Sequence, residues 1–338
     1  MQPFIIVLII IGILLLSLFL FFLLPLSIIA LHVYKKQLTR KNKDMWGRKC
    51  SAPDNKEQVM MYEIGEEWFN ENKDFATDVS ITSYDGLHLV GQYFDFGFNK
   101  CAIIHQGRTE SLIYCYYFAK PYKELGFNIL VVDPRAHGLS DGKYSTVGVK
   151  ESKDLLKWIE LMHDKYNNKK IFLHGICIGS ATCLYAITDK NTKDYIEGLV
   201  VDGMYKDFYS TMKTHSKAEG APFASLISYL TLLWMTIIAK ANAIRKTPKK
   251  AILKLKKPIL MIHSEMDIFS LPVYATMLYD SCKADKKIVW FKKGAHSHIR
   301  INNQEEYDNA IKEFIKERNL WNMPLWQWMS NPSMILNA

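Results

Sequence analysis

Six short apolar runs, at residues 102–105, 129–133, 171–174, 199–202, 259–263 and 288–291, constrain the fold most. Near-continuous apolar runs of this length suit parallel strands covered on both faces, not a half-exposed antiparallel sheet. Helical periods lie between them. Leu155, Ile159, Met162 and Tyr166 recur at i, i+4, i+7 and i+11, and Tyr307, Ala310, Ile311, Phe314 and Ile315 at i, i+3, i+4, i+7 and i+8. Asn303 with Glu306 three residues on predicts a capping box for the second helix. Residues 77–83 and 87–96, joined through Asp85-Gly86, predict a leading antiparallel hairpin. The alternation predicts a mostly parallel, doubly wound α/β sheet. With 49% apolar and 23% charged residues in 338, the chain buries a core, which excludes disorder and disulfide miniproteins.

A second feature precedes the sheet. Residues 1–34 carry no charged side chain, and 4–31 are almost all Ile, Leu, Phe and Val. That 28-residue run exceeds the roughly 20 needed to cross a hydrocarbon core. A cleavable signal sequence is the alternative, but the basic n-region and the small-residue cleavage site are not evident. Seven basic residues follow (Lys35, Lys36, Arg40, Lys41, Lys43, Arg48, Lys49) against Asp44 alone, so this stretch supplies most of the net charge of +9. By the positive-inside rule the N-terminus is outside and the rest cytosolic. The expected organisation is a single-pass transmembrane anchor at 1–34, a basic juxtamembrane linker at 35–76, the α/β domain at 77–320 and a Trp-rich tail at 321–338. Basicity confined beside a membrane does not point to nucleic acid; the expected partner is the lipid bilayer. Six cysteines (50, 101, 115, 177, 183, 282) show no C-x-x-C spacing and read as free thiols in a reducing compartment.

In doubly wound sheets the chemistry sits at the C-terminal ends of the strands. After the run at 171–174 comes Gly175-Ile176-Cys177-Ile178-Gly179, leading into a helix-prone segment. This is the G-x-S-x-G nucleophile elbow with cysteine in the serine position. Small neighbours let the nucleophile occupy a tight strand-to-helix turn, and the helix N-terminus favours an anionic oxygen or sulfur there. The competing reading is a buried small hydrophobe. Asp267 follows the run at 259–263, and His296 and His298 follow that at 288–291. Nucleophile, acid, histidine is the chain order of a hydrolase triad. His296 directly follows Gly294-Ala295 and is the expected base; His298 is the alternative, as Asp202 is for the acid. Gly107, after the run at 102–105, and Ile178 are the expected backbone N–H donors of an oxyanion hole. The loop at 133–142, with Arg135 and His137, reads as structural.

These motifs together resemble the α/β-hydrolase superfamily, in the branch of membrane-anchored, serine-aminopeptidase-like hydrolases. The resemblance spans about residues 77–318. It rests on His105-Gln106-Gly107, the D-x-R-x-H-G-x-S-x-G run at 133–142, the elbow at 175–179, Pro258 to His263 leading to Asp267, and His296. It implies an α/β-hydrolase fold with a helical cap, at about 206–250. Two positions depart from the family: Gln106 stands where glycine is usual, and Cys177 replaces serine.

Within the cap, residues 221–239 are uncharged, with Phe223, Leu226, Leu230 and Trp234 among them, and 240–257 hold eight basic residues and no acid. An apolar helix beside a cationic strip fits a lid resting on an anionic membrane and admitting an acyl chain. The expected activity is cleavage of an ester or thioester of a lipid-like or acylated small molecule, through an acyl-cysteine formed by Cys177, His296 and Asp267. An inactive hydrolase-fold scaffold and an acyltransferase are the alternatives. Phosphate-loop, dinucleotide and zinc-protease motifs are missing from the sequence, and neither cofactor nor metal is expected.

Overall fold

The computed structural model describes residues 2–318; the expected Trp-rich tail lies outside them. The chain opens with α1 (Gln2–Leu18), a π turn at Phe19–Leu23 and α2 (Leu24–Gln37), which form one continuous rod. Pro3–Gln37 is long and apolar enough to cross a membrane. Its surroundings change near Pro25. Nearly every apolar side chain from Phe4 to Leu24 is exposed, whereas Leu26, Ala30 and Tyr34 are buried at four-residue spacing. The freely exposed run is thus about 20 residues, close to one hydrocarbon thickness. The last turns of the rod, which the sequence assigns to the 28-residue span, belong to the folded domain.

The segment at 35–76 is not a linker. Arg40 is buried and donates to the carbonyls of Gly138, Ser140 and Gly142 at 3.1, 2.8 and 3.2 Å. Arg48 pairs with buried Asp133 at 2.9 Å. Helix α3 (Lys56–Asn72) is capped by the Asn55 side chain, which accepts from the Glu57 and Gln58 N–H groups, and it buries Gln58, Met61, Gly65 and Trp68. Two of the basic side chains are thus structural staples, not free membrane charges.

Eight strands follow: β1 (Ala76–Thr82), β2 (His88–Phe94), β3 (Lys100–His105), β4 (Asn128–Val132), β5 (Lys170–Ile176), β6 (Ile196–Asp202), β7 (Ile259–Ser264) and β8 (Lys286–Phe291). They form one sheet in the order β1-β2-β4-β3-β5-β6-β7-β8. β1 pairs antiparallel with β2 and β2 with β4; the other pairings are parallel. The leading hairpin and all six runs are therefore strands. Successive side chains feed opposite cores: Cys101 and Ile103 join Leu173 and Leu184 on one face, while Ala102 and Ile104 join Phe172 and Phe314 on the other.

The covering helices are α4 (Leu112–Tyr117), α5 (Lys120–Glu124), α6 (Glu151–Asp164), α7 (Ile178–Ile187), α8 (Phe208–Ala218), α9 (Ala224–Ile238), α10 (Pro248–Ala251), α11 (Pro272–Ser281), α12 (Ile299–Asn302) and α13 (Gln304–Glu317). The capping box expected at α13 does not form. Asn303 instead donates its amide to the carbonyls of Lys293 and Ile299, so its side chain ties down the loop before the helix. The cap is the hairpin α8–α9 between β6 and β7, and α9 packs along α2 through Ile227, Leu26 and Ala30.

Candidate active site

β5 runs straight into α7 with Cys177 alone between them, and Cys177 adopts φ 54°, ψ −114°. This is a strained conformation for a side chain with a Cβ, and such strain concentrates at functional turns. The flanking glycines make it possible: a Cβ on Gly175 would collide with the Gly179 carbonyl, and one on Gly179 with that of His105. The turn is held from below. Cys177 N–H donates to the Asp202 carbonyl at 2.8 Å, and Ser180 Oγ to the carbonyls of Gly175 and Asp202 at 2.6 and 2.9 Å. Cys101, Cys115, Cys183 and Cys282 are buried, whereas Cys177 and Cys50 are partly exposed.

The structure brings Asp267 and His296 together. Asp267 Oδ2 lies 2.6 Å from His296 Nδ1, and Oδ1 accepts from the N–H groups of Phe269 and Ser270 at 2.8 and 2.7 Å. Burial pushes the Asp267 carboxyl up, but the hydrogen bond and charge of His296 outweigh it and hold the group below the usual range. His296 moves the other way. Burial opposes its charge, yet Coulomb attraction to Cys177, the Asp267 pairing and a hydrogen bond to the Cys177 sulfur raise it well above an ordinary imidazole. Cys177, His296 and Asp267 therefore form one connected chain. Phe269 packs on His296 with ring centroids 5.5 Å apart.

His298 faces elsewhere. Its Nδ1 lies 2.9 Å from Glu57 and its Nε2 2.7 Å from Gln58 Oε1, both on α3. Asp202 is buried at the end of β6, where Oδ2 accepts from Tyr307 OH at 2.9 Å. Among the described residues its other oxygen has no hydrogen-bond partner, and burial pushes its carboxyl up to about 7.

Gly107 lies against the elbow: the point where its Cβ would sit is 3.1 Å from Cys177 Cβ and 3.6 Å from Sγ. Gln106 is fully buried with an internal role. Its amide donates to the carbonyls of Glu110 and Val132 at 3.0 and 3.3 Å, and its Oε1 accepts from Cys115 at 2.6 Å. The glutamine therefore braces the loop and leaves Gly107 as the residue facing the nucleophile. The loop at 133–142 is a scaffold: Arg135 pairs with Asp154 and Asp85, and His137 Nε2 accepts from Thr109 N–H at 3.1 Å.

Two neighbours of the site carry no motif. Glu110 is buried, and Gln58 Nε2 donates to its Oε1 at 2.9 Å. Burial raises its carboxyl above the usual range, against hydrogen bonds from Gln58 and the Gly107 N–H. Arg108 donates Nη1 to the Gln37 carbonyl and Oε1 at 2.8 and 2.7 Å, tying the Gly107 loop to the end of α2. The signal for Gln58 was present as the spacing Gln58, Met61, Gly65, Trp68 on an α3 face; nothing local marks Glu110 or Arg108. Among the described residues no cluster of His, Cys, Asp and Glu is arranged to hold a metal.

This sheet order, elbow and histidine–acid pair are those of the α/β-hydrolase fold. The family model for the alpha/beta hydrolase fold matches residues 103–224. The uncharacterized protein YqkD of Bacillus subtilis (strain 168) is 27% identical over 220 residues, 64% of this chain and 71% of its own. The Pyrococcus furiosus esterase Pf2001 superposes with a TM-score of 0.59 at 25% identity, covering 72% of this chain and 93% of that one. An esterase from Exiguobacterium antarcticum, at 15% identity and TM-score 0.52 over 70% of this chain and 99% of its own, shares the fold.

Proposed function

We propose that this chain is a membrane-anchored hydrolase that cleaves an ester or thioester through an acyl-Cys177 intermediate. The family-model match over residues 103–224 and the Pyrococcus esterase's 25% identity support hydrolysis of the ester type. The observation that carries the finer reading is the strained Cys177 in hydrogen-bond contact with a His296 that Asp267 holds by Nδ1. Cys177 Sγ adds to the acyl carbonyl, and His296 takes the thiol proton, as its raised pKa favours. The carbonyl oxygen becomes an oxyanion toward the N–H groups of Gly107 and Ile178. Collapse expels the alcohol or thiol, which takes the proton from His296. Water then attacks the acyl-cysteine and gives its proton to His296; collapse breaks the C–S bond, releases the acid and returns the proton to the Cys177 sulfur. An alcohol in place of water would make the same chemistry an acyl transfer.

The anchor reading has support in packing. A signal sequence is removed, but Leu26, Ala30 and Tyr34 are part of the domain's core, and Trp234 donates to the Ser27 carbonyl at 2.9 Å. The basic residues after the span support a cytosolic domain. Glu110 favours one rival, the inactive scaffold, because its carboxylate faces the Gly107 N–H that an oxyanion would need.

The test is turnover of a short nitrophenyl ester and its thioester by the full chain in detergent. Cys177→Ala and His296→Ala should each lose about three orders of magnitude or more in kcat, and His298→Ala tenfold or less. Equal, background-level rates for all four proteins would establish the scaffold instead.

A further inference from the structure

The cap helix lies beside the membrane helix in the same direction and at the same height. Phe22 and Phe223 meet edge to face with ring centroids 5.3 Å apart, and eight residues further along both helices Thr231 Oγ1 reaches the Ala30 carbonyl at 3.3 Å. Ile227 packs between, against Leu26 and Ala30. Phe22 belongs to the exposed apolar run that ends at Leu24. The turn that starts α9 is therefore level with side chains that would lie in lipid.

That turn is built unlike a soluble one. Phe223 is 55% exposed and sits at φ 53°, the left-handed region where a bulky side chain is an outlier. Gly220, Ala221 and Pro222 before it are uncharged. About 9 Å further along α9, by helical rise, Tyr229 is 44% exposed, and Lys217 stands in the last turn of α8. An exposed Phe at the tip, with a Tyr and a Lys one to two turns behind, matches the order hydrocarbon edge, headgroup layer. The basic strip at 240–257 follows the opposite end of α9, about 22 Å away by helical rise, so it is not the part that meets the membrane.

We propose that the tip of the α8–α9 turn, residues 220–224, is a second membrane contact, seated in the apolar edge of the leaflet beside Phe22. This deepens the proposed function and rests on it for one consequence. His215 on α8 packs on Phe269 at 4.9 Å, and Phe269 on His296 at 5.5 Å, so the base lies two ring contacts from a membrane-seated hairpin. The substrate class that fits is an acyl ester or thioester resident in the bilayer, delivered under the cap from the leaflet.

The contact is tested in the full chain reconstituted into phosphatidylcholine vesicles, with the photo-crosslinker p-benzoylphenylalanine placed singly at position 22, 223 or 139. Irradiation should give lipid adducts from 22 and 223 and none from 139, where Leu139 is exposed on the Arg40-bound loop. Adducts at 22 without 223 overturn the second contact and leave the anchor standing. No adducts at 22 overturn both. For the substrate class, Phe223→Asn keeps a residue that tolerates the left-handed turn. Its turnover of a long-chain nitrophenyl ester carried in vesicles, relative to that of a soluble short-chain ester, should fall about tenfold or more, the scale of one buried phenyl ring. An unchanged ratio overturns delivery from the leaflet. Wild-type protein inert on both esters overturns the hydrolase reading, and the crosslinks still decide the contact.

Discussion

Asp202 and Asp267 both end strands, and their surroundings give them opposite behaviour. Asp267 is held ionised by His296 and two backbone N–H groups. Asp202 has only the Tyr307 hydroxyl on one oxygen and burial on every side, which lifts its carboxyl to about 7. An acid whose folded pKa lies above its unfolded one binds a proton in the folded state that the unfolded chain has released. Stability therefore falls as pH rises between about 4 and 7, by up to about 4 kcal/mol through linkage. Asp202→Asn keeps the Tyr307 bond without the titration, so urea midpoints of the variant and wild type should converge near pH 4 and diverge by pH 7, with the variant higher. Parallel curves would show that Asp202 does not titrate there. Chain order alone left both acids open, because the difference lies in partners supplied by α13 and the loop after β7. Cys177 was legible because an elbow needs glycines on both sides. Glu110 was not, because its burial depends on Gln58, reached across 52 positions.

At the scale of elements, the N-terminal rod does two jobs that hydropathy reads as one. Its first two-thirds are apolar on every side, while its last turns present Leu26, Ala30 and Tyr34 to the domain and end in Gln37 against Arg108. The six strands and the helices at 151–164 and 304–317 were legible because burial on both sheet faces writes itself as apolar runs and periods. The boundary near Pro25 was not, since a helix packed on α9 and one bathed in lipid call for the same residues. Removing residues 1–24 should therefore leave the domain folded, with Tm in a matched detergent changed by less than about 4 °C, roughly 1 kcal/mol. Removing 1–38 strips partners from Ile227, Thr231 and Trp234 and should cost about 5 kcal/mol or more, from several buried apolar side chains. Equal stability of the two truncations would show that α2 contributes nothing to the core.

For the whole molecule, the N-terminal rod, the cap and the Gly107 loop form one connected body: α2 packs on α9, and its last residue holds Arg108 beside the elbow. In the proposed topology the positive residues after the apolar rod orient this body toward the cytosol. In intact cells a C-terminal tag should survive added protease and be lost on permeabilisation; loss in intact cells would reverse the orientation. Part of the basic cluster that carries this reading is internal, since Arg40 and Arg48 are engaged by the domain, but Lys35 and Lys36 remain exposed at the end of α2. The proposed chemistry requires Cys177 to form a bond to the acyl group. Its most direct test is to mix the full chain with a nitrophenyl ester, quench in acid within the first turnovers and map the acyl mass by peptide mass spectrometry. The predicted result is a single acyl adduct on the peptide bearing Cys177, absent from Cys177→Ala and accumulating in His296→Ala only at a much reduced rate. Ester hydrolysis that persists in Cys177→Ala, or an adduct confined to Cys50, would contradict it.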